Sequence, residues 1–245
     1  MQTFLTEVRE TLIPGRNDRF GPLPPLLVAL TVVTGLVDAY SYLLLGHVFV
    51  ANMTGNVVFL GFAVAGASGF SIAASLVALV SFGAGSVVGG RIVQRFGHHR
   101  GRHVAVATVT QGLLLVVSMI LALIGAQPFG SGMRYALIVF LAAAMGVQNS
   151  SVRRLGVPDL TTTVLTLTVT GIGADSALGG GEGSKSGRRL VSVVAMFLGA
   201  LAGAALLLHV HVALPLVIAT AMVVAIAVVS HVSGRSDPTW THVDG

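Results

Sequence analysis

The chain has 245 residues, of which 54% are hydrophobic and 9% are charged, and it carries a formal net charge of +5. Soluble domains contain roughly 25% charged residues, and a water-soluble fold of this length cannot bury so much apolar surface. The composition therefore excludes an ordinary soluble domain and predicts an integral membrane protein in contact with a lipid bilayer. The absence of cysteine also excludes disulfides and thiolate metal sites.

Several functional classes find no support in the sequence. The basic residues stand in short clusters between apolar runs, without a basic stripe that alternates with aromatic residues. That distribution is a topology signal and argues against a nucleic-acid partner. The sequence contains no GxSxG, HExxH or phosphate-loop motif. We therefore expect no enzymatic activity, no catalytic residues, no cofactor and no metal site.

The apolar segments predict an all-α bundle. Residues 1–16 mix apolar and charged side chains, which is typical of a short interfacial helix or of a frayed cytoplasmic tail. Six later stretches approach the roughly 20 apolar residues that a membrane span needs. These predicted spans are 23–46, 72–93, 104–125, 135–151, 190–208 and 212–232. Two shorter stretches, 57–67 and 160–174, are typical of broken or re-entrant helices.

The basic residues favour one topology. With a cytoplasmic N-terminus, six spans and two segments that return to their side of entry, Arg134 is the single basic residue on the outer side. If both short segments crossed, giving eight spans, six arginines would face outward: Arg91, Arg95, Arg100, Arg102, Arg153 and Arg154. The positive-inside rule favours six spans, but the rule is statistical and leaves eight spans open.

The sequence also contains a predicted internal repeat. The stretch from Gly35 to Asp38 is echoed by the stretch from Gly146 to Asn149, and further pairs follow in the same order. These further pairs are Leu45-Gly46 with Leu155-Gly156 and Gly85/Gly89 with Gly199/Gly203. We predict one transmembrane domain over 1–245, with repeat halves at about 22–125 and 133–232 and cytoplasmic tails at 1–21 and 233–245. Three spans in each half require the halves to be inverted, as in many transporters.

Asp38 is the first candidate site residue, because it is the only carboxylate within a long apolar run. A charge at the bilayer centre costs at least about 2.5–3.5 kcal/mol, so such residues commonly serve a proton or cation path. The alternative is a structural carboxylate that bonds to neighbouring hydroxyl groups.

Beyond Asp38, Gly55 breaks a membrane segment that contains Asn52, Thr54 and Asn56. A half-helix capped there would aim its amino end at a cavity, or the polar groups would only satisfy the broken backbone.

The second half offers matching candidates. Gln148 and Asn149 are adjacent amides near the end of a span, and they either line a site or bridge helices. A run of threonines that includes Thr162 follows, after Asp159 as a predicted helix cap. We predict that seven side chains meet in one polar cavity: Asp38, Asn52, Thr54, Asn56, Gln148, Asn149 and Thr162. The paired glycines predict close helix packing within the chain or between copies in a homo-oligomer.

Several of these motifs resemble a known family. Gly35–Ser41 reads Gly-x-x-Asp-Ala-x-Ser, Asn52–Asn56 reads Asn-Met-Thr-Gly-Asn, and Ala144–Asn149 reads Ala-Met-Gly-Val-Gln-Asn. These residues resemble the YoaK family of bacterial membrane proteins over most of the chain. The resemblance implies a bacterial inner-membrane protein and implies little about activity, because the family has no established function. Thr166 is followed by Leu167 where the pattern predicts a Thr-Gly pair.

Two kinds of function fit these residues. The first is a transporter or channel for a small polar solute or ion, with Asp38 coupling the movement to protons. The second is a membrane protein that moves nothing and acts through assembly or sensing, with its paired glycines as contact surfaces. Solute flux in liposomes separates the two.

Overall fold

The computed structural model describes residues 4–15, 18–163, 165–175, 180, 186–235 and 239–242. Over these residues the fold is all-α, as predicted, and contains no β-strand. The helices in chain order are α1 (Phe4–Leu12), α2 (Leu23–Leu44), α3 (Met53–Val64), α4 (Ile72–Phe96), α5 (Arg100–Ile124), α6 (Ser131–Leu155), α7 (Leu165–Ala174), α8 (Ser186–His209) and α9 (Leu214–Ser233), with a short 3-10 turn at Thr239–Thr241.

Six of these helices are long and apolar enough to cross a bilayer: α2, α4, α5, α6, α8 and α9. They correspond to the six predicted spans. The fourth is longer than the predicted range of 135–151, because Arg134, Arg153 and Arg154 lie inside the helix and break the apolar run at its ends. Large apolar side chains on the outside of the bundle, such as Val80 and Phe197, are 70% and 62% exposed. Such surfaces suit lipid and not water.

The two short helices do not cross. α3 has 12 residues and α7 has 10, so they rise about 18 and 15 Å where the hydrocarbon core is about 30 Å thick. His47, just after α2, places its Nδ1 3.0 Å from the carbonyl oxygen of Gly69, just before α4. In the second half, Arg189 of α8 pairs with Asp159 at 2.9 Å. Each short segment therefore leaves at the end of the bundle where it entered, which supports six crossings.

Contacts between loops define one end of the bundle, which we call the basic end. The Nη1 group of Arg100, at the start of α5, lies 3.3 Å from the carbonyl oxygens of both Arg19 and Trp240. The backbone N–H of Gly187 donates to Glu7. These contacts bring together the residues before α2, after α4, after α9 and at the start of α8. We predict that residues 94–103 and 176–189 are both cytoplasmic, because they carry most of the basic charge between spans. Arg16, Lys185 and most of residues 176–189 lie outside the described residues.

Glycines hold the long helices in two tight pairs. In α4, a Cβ on Gly85 would collide with the backbone of Ala143 in α6. In α8, a Cβ on Gly199 would collide with the backbone of Val32 in α2. One turn later the same contacts recur, Gly89 against Val147 and Gly203 against Leu36. Only glycine permits such a close backbone approach.

The partner helices α2 and α6 also carry glycines at these contacts. Gly35 of α2 lies against the backbone of Met196 and Ala200, and Gly146 of α6 lies against the backbone of Phe82 and Ser86. Each predicted repeat half therefore packs against the other half, α2 with α8 and α4 with α6. Both predicted glycine pairs are covered within one chain. The homo-oligomer stays a prediction, and it would have to form through other surfaces.

Replacing Gly85 with alanine should lower the melting temperature of the purified protein in detergent, at a cost of about 1–3 kcal/mol. The added methyl group meets main-chain atoms of Ala143, which cannot rotate away. Gly83→Ala is the matched control, because no atom lies within 4 Å of its Cβ position. Alanine is the better helix former, so that variant should be neutral or slightly more stable. Equal melting temperatures for both variants would contradict the packing contact.

The cytoplasmic location of the basic end can be tested with single cysteines, since the native chain has none. His98 and Ser68 are both exposed and lie beyond opposite ends of α4. A membrane-impermeant maleimide should label Ser68→Cys in intact cells, and His98→Cys only after the cells are opened. Labelling of His98→Cys in intact cells would reverse the predicted orientation.

Candidate functional site

The site begins where the chain turns back after α2. Residues 45–52 descend beside α2 in a non-helical conformation, and their backbone N–H groups need partners. Asp38 supplies them: its Oδ1 accepts from the N–H of Val50 at 3.0 Å and of Ala51 at 2.8 Å. The carboxylate is 8% exposed. Asp38 therefore fixes the depth at which the broken segment stops and α3 begins.

Two asparagines complete this turn in different ways. Asn52 caps α3, as predicted, because its Oδ1 accepts from the N–H of Gly55. Asn56 is completely buried, accepts from the N–H of Phe49 at 2.9 Å and donates to the carbonyl oxygen of Phe49 at 2.6 Å. Its amide is thus fully used in holding the extended chain. Asn56 supports the wall of the site and does not line it.

The second half places an amide where the first half has a carboxylate. Asn149 stands three residues after Gly146, as Asp38 stands three residues after Gly35. Its Oδ1 accepts from the hydroxyl of Thr163 at 2.5 Å. Its Nδ2 donates to the carbonyl oxygen of Met145. A side chain of α6 therefore holds the second re-entrant segment, as Asp38 of α2 holds the first.

Gln148 and Thr162 lie outside the cavity, contrary to the predicted convergence. Gln148 is buried and accepts from Gln111 of α5 at 2.7 Å. Its Nε2 donates to Thr34 of α2 at 2.9 Å and to Thr162 at 3.3 Å. This network bridges α2, α5, α6 and the second re-entrant segment. Of the two roles open to Gln148, the hydrogen bonds match helix bridging.

A cavity of about 760 Å³ lies between the two glycine-packed helix pairs. Within the described residues, α4 and α8 do not touch each other, and the cavity occupies the gap between them. Four of the predicted site residues line it: Asp38, Asn52, Thr54 and Asn149. We call it the Asp38 cavity. Both predicted halves contribute to its lining.

The sequence did not predict much of this lining. Aromatic and hydroxyl side chains complete the wall, including Tyr42, Phe49, Phe59, Phe82, Thr163 and Thr166. The rings of Tyr42 and Phe49 are stacked with centroids 5.0 Å apart, and those of Phe49 and Phe59 are 5.6 Å apart. Phenylalanines are common throughout a membrane protein, so composition alone does not distinguish these. The threonine run was the available signal for Thr163 and Thr166.

A second cavity, of about 610 Å³, lies nearer the basic end. It is lined by the last turns of α6 and by the second re-entrant segment, and Arg153 is one of its residues. We call it the Arg153 cavity. It shares three lining residues with the Asp38 cavity: Phe82, Asn149 and Thr163. The hydrogen bond between Asn149 and Thr163 thus lies at the boundary between the two cavities.

Comparison with known proteins assigns the chain to a family. The model of a family described as "Protein of unknown function (DUF1275)" matches residues 26–229, which include most of both predicted halves and all the predicted site residues. The chain belongs to this family. It is a multi-pass membrane protein, since it has six membrane-length helices and a transmembrane relative.

A curated protein similar to this chain is the UPF0700 transmembrane protein YoaK of Bacillus subtilis (strain 168). The chain is 34% identical to it over 146 residues, which is 59% of this chain and 63% of the relative. The chain thus covers less than two thirds of that relative's length. No solved structure matches the chain.

Charged side chains near the second re-entrant segment serve a structural role in this family member. Arg189 donates to Asp159 at 2.9 Å, to Asp175 at 2.6 Å and to the carbonyl oxygen of Gly171 at 2.7 Å. Asp159 is therefore an ion-pair partner, in place of the predicted helix cap, and its φ is +63°. Within the described part of the chain, no three His, Asp or Glu side chains are grouped so as to hold a metal ion.

The different roles of the two asparagines can be separated by stability measurements. Asn56→Ala leaves the backbone N–H and carbonyl oxygen of Phe49 without their partner, at about 1–3 kcal/mol for each group. We expect a clearly lower melting temperature. Asn52→Ala is the matched control, because this exposed amide makes one bond of 3.4 Å. A larger loss of stability from Asn52→Ala than from Asn56→Ala would contradict these assignments.

Proposed function

We propose that this protein transports a small polar solute across the bacterial inner membrane, with its N-terminus in the cytoplasm. In this proposal the chain catalyses no covalent chemistry and needs no cofactor. The solute enters the Asp38 cavity from one side and leaves through the Arg153 cavity on the other. The reverse direction fits the same geometry.

The observation that carries the proposal is the thin boundary between the two cavities. Phe82, Asn149 and Thr163 line both of them. Asn149 and Thr163 meet through a side-chain hydrogen bond, which can break without unfolding a helix. Transporters with broken helices commonly place their binding site at this kind of position, at the interface of two repeats.

The packing supports a movement that would open this boundary. Glycine contacts join α2 to α8 and α4 to α6 over several turns, so each pair can move as a unit. α4 and α8 are not in contact within the described residues. Rocking of one pair against the other would widen one cavity while it narrows the other. The buried hydrogen bonds of Gln148 would then serve as the connection about which the two helix pairs turn.

Asp38 is our candidate for proton coupling. It lies in the cavity lining, and its Oδ1 already accepts two backbone N–H groups. A carboxylate that takes up a proton on one side and releases it on the other would link solute movement to the proton gradient. Asp38→Asn keeps an oxygen for the backbone N–H groups and removes the charge.

Access to the boundary tests the proposal. Thr163→Cys should react with a small thiol reagent added to either side of sealed vesicles, because alternating access exposes this position to both sides. Val37→Cys, whose position on α2 is fully buried, should react from neither side. Reaction of Thr163→Cys from one side alone under all gradients would favour the assembly or sensor function over transport.

Flux measurements test the role of Asp38. Proteoliposomes that contain the unsubstituted protein should accumulate the transported solute when a pH gradient is imposed. Asp38→Asn should bind the solute more weakly and lose this pH-driven uptake, while downhill exchange continues at high solute concentration. If Asp38→Asn responds to the gradient as the unsubstituted protein does, Asp38 is a structural residue, and the proposal of transport stands without proton coupling.

A further inference from the structure

We propose that the Asp38 cavity binds a monovalent organic cation, an ammonium group attached to an apolar or aromatic body. The inference names the substrate class of the site described above. Its consequence for transport rests on the proposed function, whereas binding itself does not. Charge, the free part of the carboxylate and the aromatic wall each support it.

The charge of the lining favours a cation. Among the described residues that line the cavity, Asp38 is the only acidic one, and the lining contains no Lys, Arg or His. Opposite charges attract strongly where water is partly excluded. An anion would enter beside a carboxylate with no cation to pair with, which is strongly unfavourable.

The carboxylate keeps one oxygen available. Two backbone N–H groups, those of Val50 and Ala51, donate to Oδ1 of Asp38, and the N–H of Asn52 also approaches the carboxylate. Within the described residues, no side chain donates to Oδ2 and no basic residue forms an ion pair with Asp38. The backbone holds the carboxylate mainly through Oδ1, so Oδ2 keeps a lone pair with which to accept from a ligand. An ammonium group supplies the N–H donors for such a bond.

The wall favours an organic body over a bare metal ion. Tyr42, Phe49 and Phe59 form a run of aromatic rings with centroids 5.0 and 5.6 Å apart. Aromatic faces attract ammonium groups and also pack against apolar carbon. The remaining wall includes Met53 and Met196, whose flexible thioethers adapt to ligand shape. Small metal cations prefer several carboxylate or carbonyl oxygens. Asp38 is the only carboxylate among the described lining residues, and no three His, Asp or Glu side chains of the described chain are grouped to hold a metal ion.

The amino end of α3 favours a negative charge, and groups of the chain itself already supply the acceptors there. The amino end of α3 borders the cavity at Asn52 and Thr54, and helix amino ends attract anions. Asp38 already occupies the N–H groups just before α3, and Asn52 accepts from Gly55 within its first turn. A ligand carboxylate would compete with these groups, so an ammonium ion suits the site better than a zwitterion.

Binding is tested with four probes that share a benzyl group and differ in the charge of the group attached to it. They are 2-phenylethylammonium, neutral 2-phenylethanol, anionic phenylacetate and zwitterionic phenylalanine, titrated calorimetrically into the purified full chain in detergent at neutral pH. We expect the ammonium probe to bind at least about tenfold more tightly than the other three, the size expected for one charge-assisted hydrogen bond. This comparison needs no substituted protein, so it does not depend on how a variant folds.

Variants locate the binding site. Asp38→Asn should abolish the preference for the ammonium probe over the alcohol. Phe59→Leu should weaken ammonium binding severalfold and change alcohol binding less, because an apolar side chain remains but the ring face is lost. Phe62→Leu is the matched control: the ring of Phe62 lies 6.3 Å from that of Phe59, centroid to centroid, but Phe62 does not line the cavity. Its affinity for the ammonium probe should stay unchanged.

The outcomes separate this inference from the transport proposal. Tighter binding of phenylacetate, phenylalanine or the alcohol than of the ammonium probe would overturn the organic-cation assignment and leave transport untouched. Ammonium binding that Asp38→Asn does not reduce would overturn it as well. Ammonium binding at Asp38 without flux in proteoliposomes would support the inference and overturn the transport proposal instead.

Discussion

The structure depends on how two broken stretches of backbone are satisfied at membrane depth. Hydrocarbon offers no hydrogen bonds, so each unpaired N–H there costs several kcal/mol. In the first half, one oxygen of Asp38 accepts two of these groups. That contact sets where α3 starts, and Asn56 then holds Phe49 in the wall beside it. The cavity is thus a consequence of the way in which the chain pairs its own backbone.

The two halves meet this constraint with different chemistry. Asp38 carries a formal charge and binds backbone directly, whereas Asn149 at the corresponding place binds the hydroxyl of Thr163. A charged anchor and a neutral one therefore face the same cavity. The charged half also supplies all four aromatic rings among the described residues of the wall. The two halves therefore make similar helix contacts, but the charged and aromatic side chains of the cavity come from the first half.

Much of the architecture was predictable because it follows from simple quantities. The length of the spans follows from the thickness of the bilayer. The placement of the arginines predicts that the short segments return to their side of entry, and the spacing of the glycines predicts tight helix contacts. The break at Asn52–Asn56 was predictable from its turn and capping residues. Each of these signals is local in the sequence and has one dominant physical cause.

The side-chain composition of the site was less predictable, because it depends on how each helix is rotated. Gln148 and Asn149 are neighbours and point about 100° apart around α6. As a result Asn149 lines the cavity while Gln148 bonds to Gln111 and Thr34. Nothing in the sequence around Phe49 and Phe59 distinguishes them from other apolar residues of the chain. Only the folded structure brings their rings into a stack. Packing between helices decided these positions.

The crossed pairing of α2 with α8 also constrains how the protein is made. Translation delivers α2 before its partner α8, and Gly35 lies on the face of α2 that α8 covers. Until that helix has been synthesised and inserted, the groove along α2 can be filled only by lipid or by a transient companion. Contacts between such distant parts of a chain form late. The α2–α8 pair therefore closes only after α8 has been inserted, whereas α4 and α6 can pair earlier.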